Sequence, residues 1–459
     1  MKRLRGCAAS TFETLVPRST TPYRFIDLAN EAARERKQTA YRCDELLLRF
    51  CHQLERLHVQ AQATSSSTTY SRAGERALNV LLALYTDSVQ LLTEFGPIVE
   101  RLKEKSTTPT SRWQIDDGEV LTTMIVELEG RHGAANETLM EAVQTGAFHR
   151  EVVSPFLSTR ISTQLLLQHH MSLWRKGSPK EDPGSSLMTS ANRSETVLKA
   201  LSLESLCTSS AAEGRLLCDA HYAKVPDVNV CELESLEDVK LGAIFVGNPV
   251  ASGGEDLTVA SSPALVRYVV LELIKNALRA SVEAPSSDAA SVLPPPVQVW
   301  LRRESSGNFV DVIVLDGGAG VDSAVAEKAL NKFGSTNWDN VSRGAGGESE
   351  GGVVAAAAAA TETAPLWDRL QEQVSYMPAR SPLHGIGVGL ALSRLHSVYL
   401  GGSLHLQSLT SDPTEGPATF GGELLISPEG QRHGTAAILR LPLNAGVFGA
   451  REGIPLRVS

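Results

Sequence analysis

The chain has no basic excess: 43 Lys and Arg stand against 52 Asp and Glu, a formal net charge of −9. Nucleic-acid phosphates demand a basic face, so general nucleic-acid binding is not expected. Its six cysteines, Cys7, Cys43, Cys51, Cys207, Cys218 and Cys231, lie in no CxxC or zinc-like spacing. Nothing reads as a secretory signal either, and reduced thiols follow as the expectation. No uncharged apolar run approaches the roughly 18 residues that a membrane span requires. What the chain does have is 459 residues with 42% hydrophobic content, enough for two or three packed domains.

Apolar residues recur at three- and four-residue spacing through residues 25–178, predicting long helices over 25–59, 74–105, 117–145 and 155–174. Four long helices with short links imply a four-helix bundle. A polar stretch, GSPKEDPGSS, then reads as a linker. Over residues 190–445 the pattern becomes mixed: a helix over 195–222, strands VPDVNV and GAIFVG, and a helix over 262–282. Strands VQVWLRR and FVDVIVL, a helix over 325–333, and strands GSLHLQSL and GTAAILRLPL follow. The expected fold is therefore α+β, a helical bundle followed by an α/β sandwich whose helices cover one face of a mixed sheet. Residues 446–459 form a tail.

Three further segments stand out by composition. Residues 1–24 carry Lys2, Arg3, Arg5, Arg18 and Arg24 against the single acid Glu13, the composition of a mitochondrial transit peptide and equally of a disordered basic tail. Residues 342–364 are a low-complexity insertion, and residues 410–432 are expected to be a surface loop.

The chemistry concentrates in four motifs. Glu272, Asn276 and Arg279 share one helix in LELIKNALRAS. Downstream come DGGAGV, with Asp316, Gly318 and Gly320, then HGIGVGLALSR, with His384, Gly385, Gly387, Gly389 and Leu390, then Gly434-Thr435 before the last strand. Glycine lets backbone N–H groups approach a ligand, Asp316 offers a fixed acceptor, and Asn276 offers a neutral oxygen suited to a hydrated divalent cation. Together they describe a nucleotide site.

In this order the motifs resemble those of the GHKL ATPase superfamily, which includes gyrase and the histidine kinases. The resemblance implies a GHKL-type ATP-binding sandwich over residues 190–445, with residues 342–364 in the place of the mobile ATP lid or of an uninvolved spacer. Glu272, Lys275, Asn276, Arg279 and Ala280 narrow the resemblance to the mitochondrial α-ketoacid dehydrogenase kinases, with support from FLSTRISTQLLLQHHMSL and LLCDAHYAKVPDVNV. Within that family YLGGSLHLQSL, LHGIGVGL and the His169-His170 pair look most like the branched-chain enzyme. So does Tyr268, where pyruvate dehydrogenase kinases usually carry His, and the tail after Leu443 has no Trp of the Asp-Trp pair common in those kinases.

The resemblance assigns roles. Glu272 would act as the base toward a serine hydroxyl, and Asn276 would hold Mg²⁺ against the ATP phosphates. Lys275 and Arg279 would orient Glu272 or neutralise phosphate, or form helix-surface ion pairs. Asp316 would accept the adenine amino group, with Gly318 and Gly320 passing under the ring. Ser335 and Thr336 would contact nucleotide or cap a helix. His384, Gly385, Gly387, Gly389 and Leu390 would wrap the triphosphate at a helix start, and Thr435 would complete the pocket. Potassium stays an open expectation, because the matching Asn331 and Gly334 do not clearly retain the family's site.

Partners implied by the resemblance are the E1α subunit and lipoyl-bearing E2 of a dehydrogenase complex, together with a second copy of the chain as a homodimer. The expected function is a matrix protein-serine kinase that inactivates branched-chain α-ketoacid dehydrogenase; the alternatives are a pyruvate dehydrogenase kinase and a nucleotide-binding scaffold without catalysis. The eukaryotic protein-kinase signatures, Val-Ala-x-Lys, His-Arg-Asp and Asp-Phe-Gly, are absent. An inhibitory α-ketoacid sits among the bundle helices of the family. Arg160 is kept there, but the second arginine is Gln164, and His169 follows on the same segment, where packing within the bundle is its other reading.

Overall fold

In the computed structural model the described residues are 6–16, 37–65, 72–105, 115–132, 135–177, 199–222, 224–233, 257–284, 294–304, 306–331, 388–410, 418–420, 423–425 and 433–443. The fold is α+β, a helical half followed by a half built on a mixed sheet. Strand GAIFVG, the insertion 342–364 and the tail 446–459 lie outside the described residues.

The helical half consists of α1 (Gly6–Leu15), α2 (Lys37–Ser65), α3 (Arg72–Glu94), α4 (Gly96–Lys105), α5 (Ile115–Arg131), α6 (Ala135–Gln144) and α7 (Arg150–Gly177). Helix α3 shows why they form: it buries Ala77, Leu78, Leu81, Tyr85, Val89 and Leu92, one stripe at three- and four-residue spacing. Contacts run from α2 to α3 and α7, from α3 to α6, and from α5 to α7. Two of the expected long helices are divided. One breaks at the Phe95 turn, and the other breaks after Arg131, where the His132 carbonyl leaves the helix and accepts from the guanidinium of Arg160 at 2.6 Å.

The basic N-terminal segment is not uniformly a tail. Helix α1 lays Phe12, 3% exposed, and Leu15 against α2 and α3, and Val16 offers its carbonyl to His52 Nε2 at 3.1 Å. The Ser, Thr and Arg content of residues 1–24 hid that short apolar face.

The second half opens with β1 (Lys199–Ser202), which runs into α8 (Leu203–Tyr222) and pairs antiparallel with β3 (Thr258–Ser261). Both strands are only four residues long, too short to show an alternation, and β1 was expected to be helical. The main sheet has the order β2-β4-β5-β9-β6, from β2 (Val228–Leu233), β4 (Val297–Arg303), β5 (Phe309–Leu315), β9 (His433–Pro442) and β6 (Ser403–Thr410). Strands β2 and β4 are parallel and the other neighbours antiparallel. Helices α8, α9 (Pro263–Glu283) and α11 (Gly389–Tyr399) pack on the sheet, α10 (Ser323–Asn331) flanks β6, and α11 also touches α7.

Val299, Leu301, Val312 and Leu439 join the helix-covered core, while Trp300, Ile313 and Ile438, one residue out of phase, form a smaller cluster on the other face. On that face the register aligns Arg302, Asp311 and Arg440 across three strands. The fully buried Asp311 carboxylate receives both guanidinium groups at 2.7–3.0 Å. The second insertion is not a plain loop: β7 (Ala418–Phe420) and β8 (Glu423–Leu425) pair as an antiparallel hairpin within it. Among the described residues no helix is long and apolar enough to cross a membrane.

Candidate functional site

Helix α9 carries the first motif. Pro263 stands in its first turn after Ser262, and its Leu, Ile, Val and Ala positions, Leu265 through Leu278, fill the core. That leaves Glu272, Asn276 and Arg279 on a partly exposed strip. Glu272 is 15% exposed and its Oε1 meets Lys275 Nζ at 2.7 Å, with Lys275 only 7% exposed. One turn on, the half-buried Asn276 makes no side-chain hydrogen bond among the described residues. Arg279 is committed elsewhere: its Nε reaches both oxygens of Glu283 at 3.0 and 3.2 Å, and Tyr222 donates to the same carboxylate. This favours the ion-pair reading of Arg279.

The second motif follows β5. Asp316 Oδ1 accepts the N–H of Gly318 at 2.9 Å and of Thr435 at 3.0 Å. Burial pushes the Asp316 carboxyl up to about 6, against the lowering effect of those two hydrogen bonds. Gly318 abuts helix α9, since a Cβ there would stand 2.9 Å from Ala280 Cβ. Gly320 has φ +82°, and a Cβ would lie 2.7 Å from Ser408 Oγ. A side chain at Gly434 would run into the Asp316 carbonyl, so the last motif closes on the second.

The third motif is described only from Val388 onward. Gly389 opens α11, and a Cβ on it would run into the Glu272 carboxylate. Leu390 is half-buried against the main core. Glu272, Asn276, Asp316, Gly318, Gly320, Gly389, Leu390 and Thr435 thus lie along one seam between α9, the start of α11 and the ends of β5 and β9. Ser335, Thr336, His384, Gly385 and Gly387 lie outside the described residues. Among the described residues no group of three or more His, Cys, Asp or Glu could hold a metal ion.

Sequence reasoning passed over Ser408, which with the motif residue Ala280 bounds the glycine turn, and the surroundings of Tyr268. Tyr268 is partly buried against the main core one turn before Glu272, its ring 4.8 Å from that of His396. Burial and the Glu272 charge hold its phenol well above the usual range, while burial lowers His396 to about 3 and keeps it neutral.

Arg160, Gln164 and His169 belong to a different place, on α7. Arg160 is buried among Asn136 Oδ1 at 2.6 Å, the His132 carbonyl, Tyr85 and His132 Nδ1. Gln164 is 5% exposed, with no partner for its Nε2 among the described residues. His169 is helical in backbone, and its side chain lies outside the described residues. Tyr85, Ser88 and His132 were not singled out; the signal was Tyr85, Thr86 and Ser88 among the buried, mostly apolar positions of α3.

No family model matches the chain. Three relatives do. Pyruvate dehydrogenase (acetyl-transferring) kinase isozyme 4, mitochondrial, of Rhinolophus ferrumequinum is 22% identical over 421 residues, 88% of this chain and 81% of the relative. The isozyme 4 of Homo sapiens is 21% identical over 417 residues, with the same shares. The isozyme 1 of Homo sapiens is 25% identical over 348 residues, 72% of this chain and 65% of the relative. The likeness is to mitochondrial protein kinases. It makes this chain an ATP-dependent protein kinase of mitochondria. The seam brings together a lysine-held carboxylate, an amide one turn away with no hydrogen bond among the described residues, and a buried acceptor flanked by glycine backbone.

Proposed function

We propose that this chain transfers the γ-phosphoryl group of Mg-ATP to a serine of the E1α subunit of a mitochondrial α-ketoacid dehydrogenase complex and so switches that complex off. The observation that carries the proposal is the packing of Gly389 against Glu272, which sets the start of a glycine-turn helix beside a carboxylate on the motif helix. Glu272 would take the serine proton as the phosphoryl group departs, and Asp316 would fix the adenine through its amino group. The uncommitted Asn276 amide fits a Mg²⁺ held jointly with the ATP phosphates, where the ion would neutralise phosphate charge. Gly318, Gly320 and Thr435 form the floor of the pocket. Ser335, Thr336, His384, Gly385 and Gly387 would complete it by the family resemblance.

Two substrates compete. The names of the relatives favour pyruvate dehydrogenase. Tyr268, in place of the His usual in those kinases, favours the branched-chain complex by resemblance. A scaffold without catalysis would have no need of Glu272, whose carboxylate is nonetheless kept and fixed. The cyclic contacts of α2, α3, α5 with α6, and α7 support the reading of residues 25–178 as a four-helix bundle. Docking to a lipoyl-bearing E2 and assembly as a homodimer complete the proposal. Incubating the purified chain with labelled ATP and each E1 complex in turn tests it. Label in one E1α is the expected result, and label in neither refutes the proposal.

A further inference from the structure

We infer that Gly389 and Lys275 are positioning residues for Glu272: the side chain missing at Gly389 leaves the space in which the carboxylate stands, and Lys275 holds it there. This rests on Glu272 being the catalytic carboxylate. A Cβ at Gly389 would meet Glu272 Oε2 directly and stand 3.2 Å from Cδ and 3.7 Å from Cγ, contact along the whole end of the side chain. Nothing in the Gly389 backbone demands glycine, because it opens an ordinary helix and is not among the positive-φ glycines. Alanine is the better helix former, so a glycine here points to the neighbouring carboxylate.

Were Glu272 free to swing away, a methyl group at Gly389 would cost little. It is not free. Its Oε1 is 2.7 Å from Lys275 Nζ, both groups are largely buried, and the lysine would lose its counter-charge if the carboxylate moved. Glu272 and Lys275 are three residues apart on α9, and Gly389 comes from α11, so the carboxylate is gripped between two helices. A third glycine in a glycine-rich turn is ordinarily read as serving the nucleotide; here its near neighbour is the group that would take the serine proton.

The test compares Gly389→Ala, Lys275→Met, their double variant and Glu272→Gln in the full chain, with labelled ATP and the E1 complex that the wild type phosphorylates. Displacing a reacting group by about 1 Å costs about a hundredfold in rate. Each single positioning variant should lose about that much kcat, with the ATP KM within about threefold, and Lys275→Met should also lower the melting temperature because it leaves the Glu272 carboxylate unpaired. Because both act through one carboxylate, the double variant should be no slower than the worse single one. A raised ATP KM with unchanged kcat for Gly389→Ala would assign that glycine to the nucleotide alone and overturn the inference, as would multiplicative losses in the double variant. An inactive Glu272→Gln beside a fully active Gly389→Ala overturns the positioning role alone; an active Glu272→Gln overturns the catalytic reading beneath it.

Discussion

Replacing Gln164 with Arg should both destabilise the free protein and tighten its response to an α-ketoacid. Arg160 is 4% exposed and is held by an amide, a carbonyl, a phenol and an imidazole, with no carboxylate partner among the described residues. His132 adds no counter-charge. Burial and the charges of Arg160 and Arg131 keep it well below its usual range, and its Nε2 lies 2.8 Å from Ser88 Oγ. Gln164 follows one turn after Arg160 on the same face of α7. A buried cation beside an unsatisfied amide donor is a place that an anion would complete.

A second buried cation without a partner costs about 3 kcal/mol in the free protein. A bound carboxylate then gains one charge-assisted hydrogen bond of about 1.5–3 kcal/mol, roughly tenfold to a hundredfold in affinity. A branched-chain α-ketoacid titration followed by thermal melting and by inhibition of ATP turnover reads both effects. At a hundred times its Kd the ligand should restore about 2.7 kcal/mol. The wild type should be inhibited weakly. If Gln164→Arg melts like the wild type and the ketoacid acts no more tightly, the carboxylate does not reach this helix.

Three further outcomes follow. Asn276→Ala should abolish Mg²⁺-dependent ATP binding in calorimetry while leaving the melting temperature unchanged, and unaltered affinity would remove Asn276 from the metal site. Asp316, raised to about 6, should make ATP affinity level above about pH 7 and weaker as pH falls through 6, because a donated amino group favours the ionised form. In the free protein that same buried charge costs stability at neutral pH, a cost relieved as pH falls from 6 towards 4; Asp316→Asn should flatten both profiles. Residues 1–24 fused to a fluorescent reporter should carry it to mitochondria, and Phe12→Ala should destabilise the full chain by about 3 kcal/mol, since α1 packs on the helical half. A diffuse reporter or an unchanged melting curve would count against each in turn.

The sheet strands β4, β5, β6 and β9 were legible because each runs for seven or more residues, long enough for its apolar positions to show. Helix α9 was equally plain. Strands β1 and β3 were not, because they pair with each other across more than fifty residues and neither shows a pattern alone. The breaks at Phe95 and His132 were hidden inside continuous apolar periodicity, and the second serves Arg160, a partner remote in sequence. At the site, the glycines and the acceptor Asp316 could be read from spacing. That Arg279 turns to Glu283, and that Gly389 meets Glu272, could not, because both depend on side-chain geometry that one sequence does not encode locally.

The most direct measurement pairs the wild-type chain with Glu272→Gln against both E1 complexes, following labelled phosphate on serine and ATP affinity in parallel. If Glu272 is the base, the wild type labels E1α of one complex, while the variant keeps ATP affinity within a few fold and loses roughly a hundredfold or more in transfer. A Glu272→Gln variant that labels E1α at the wild-type rate would contradict the account.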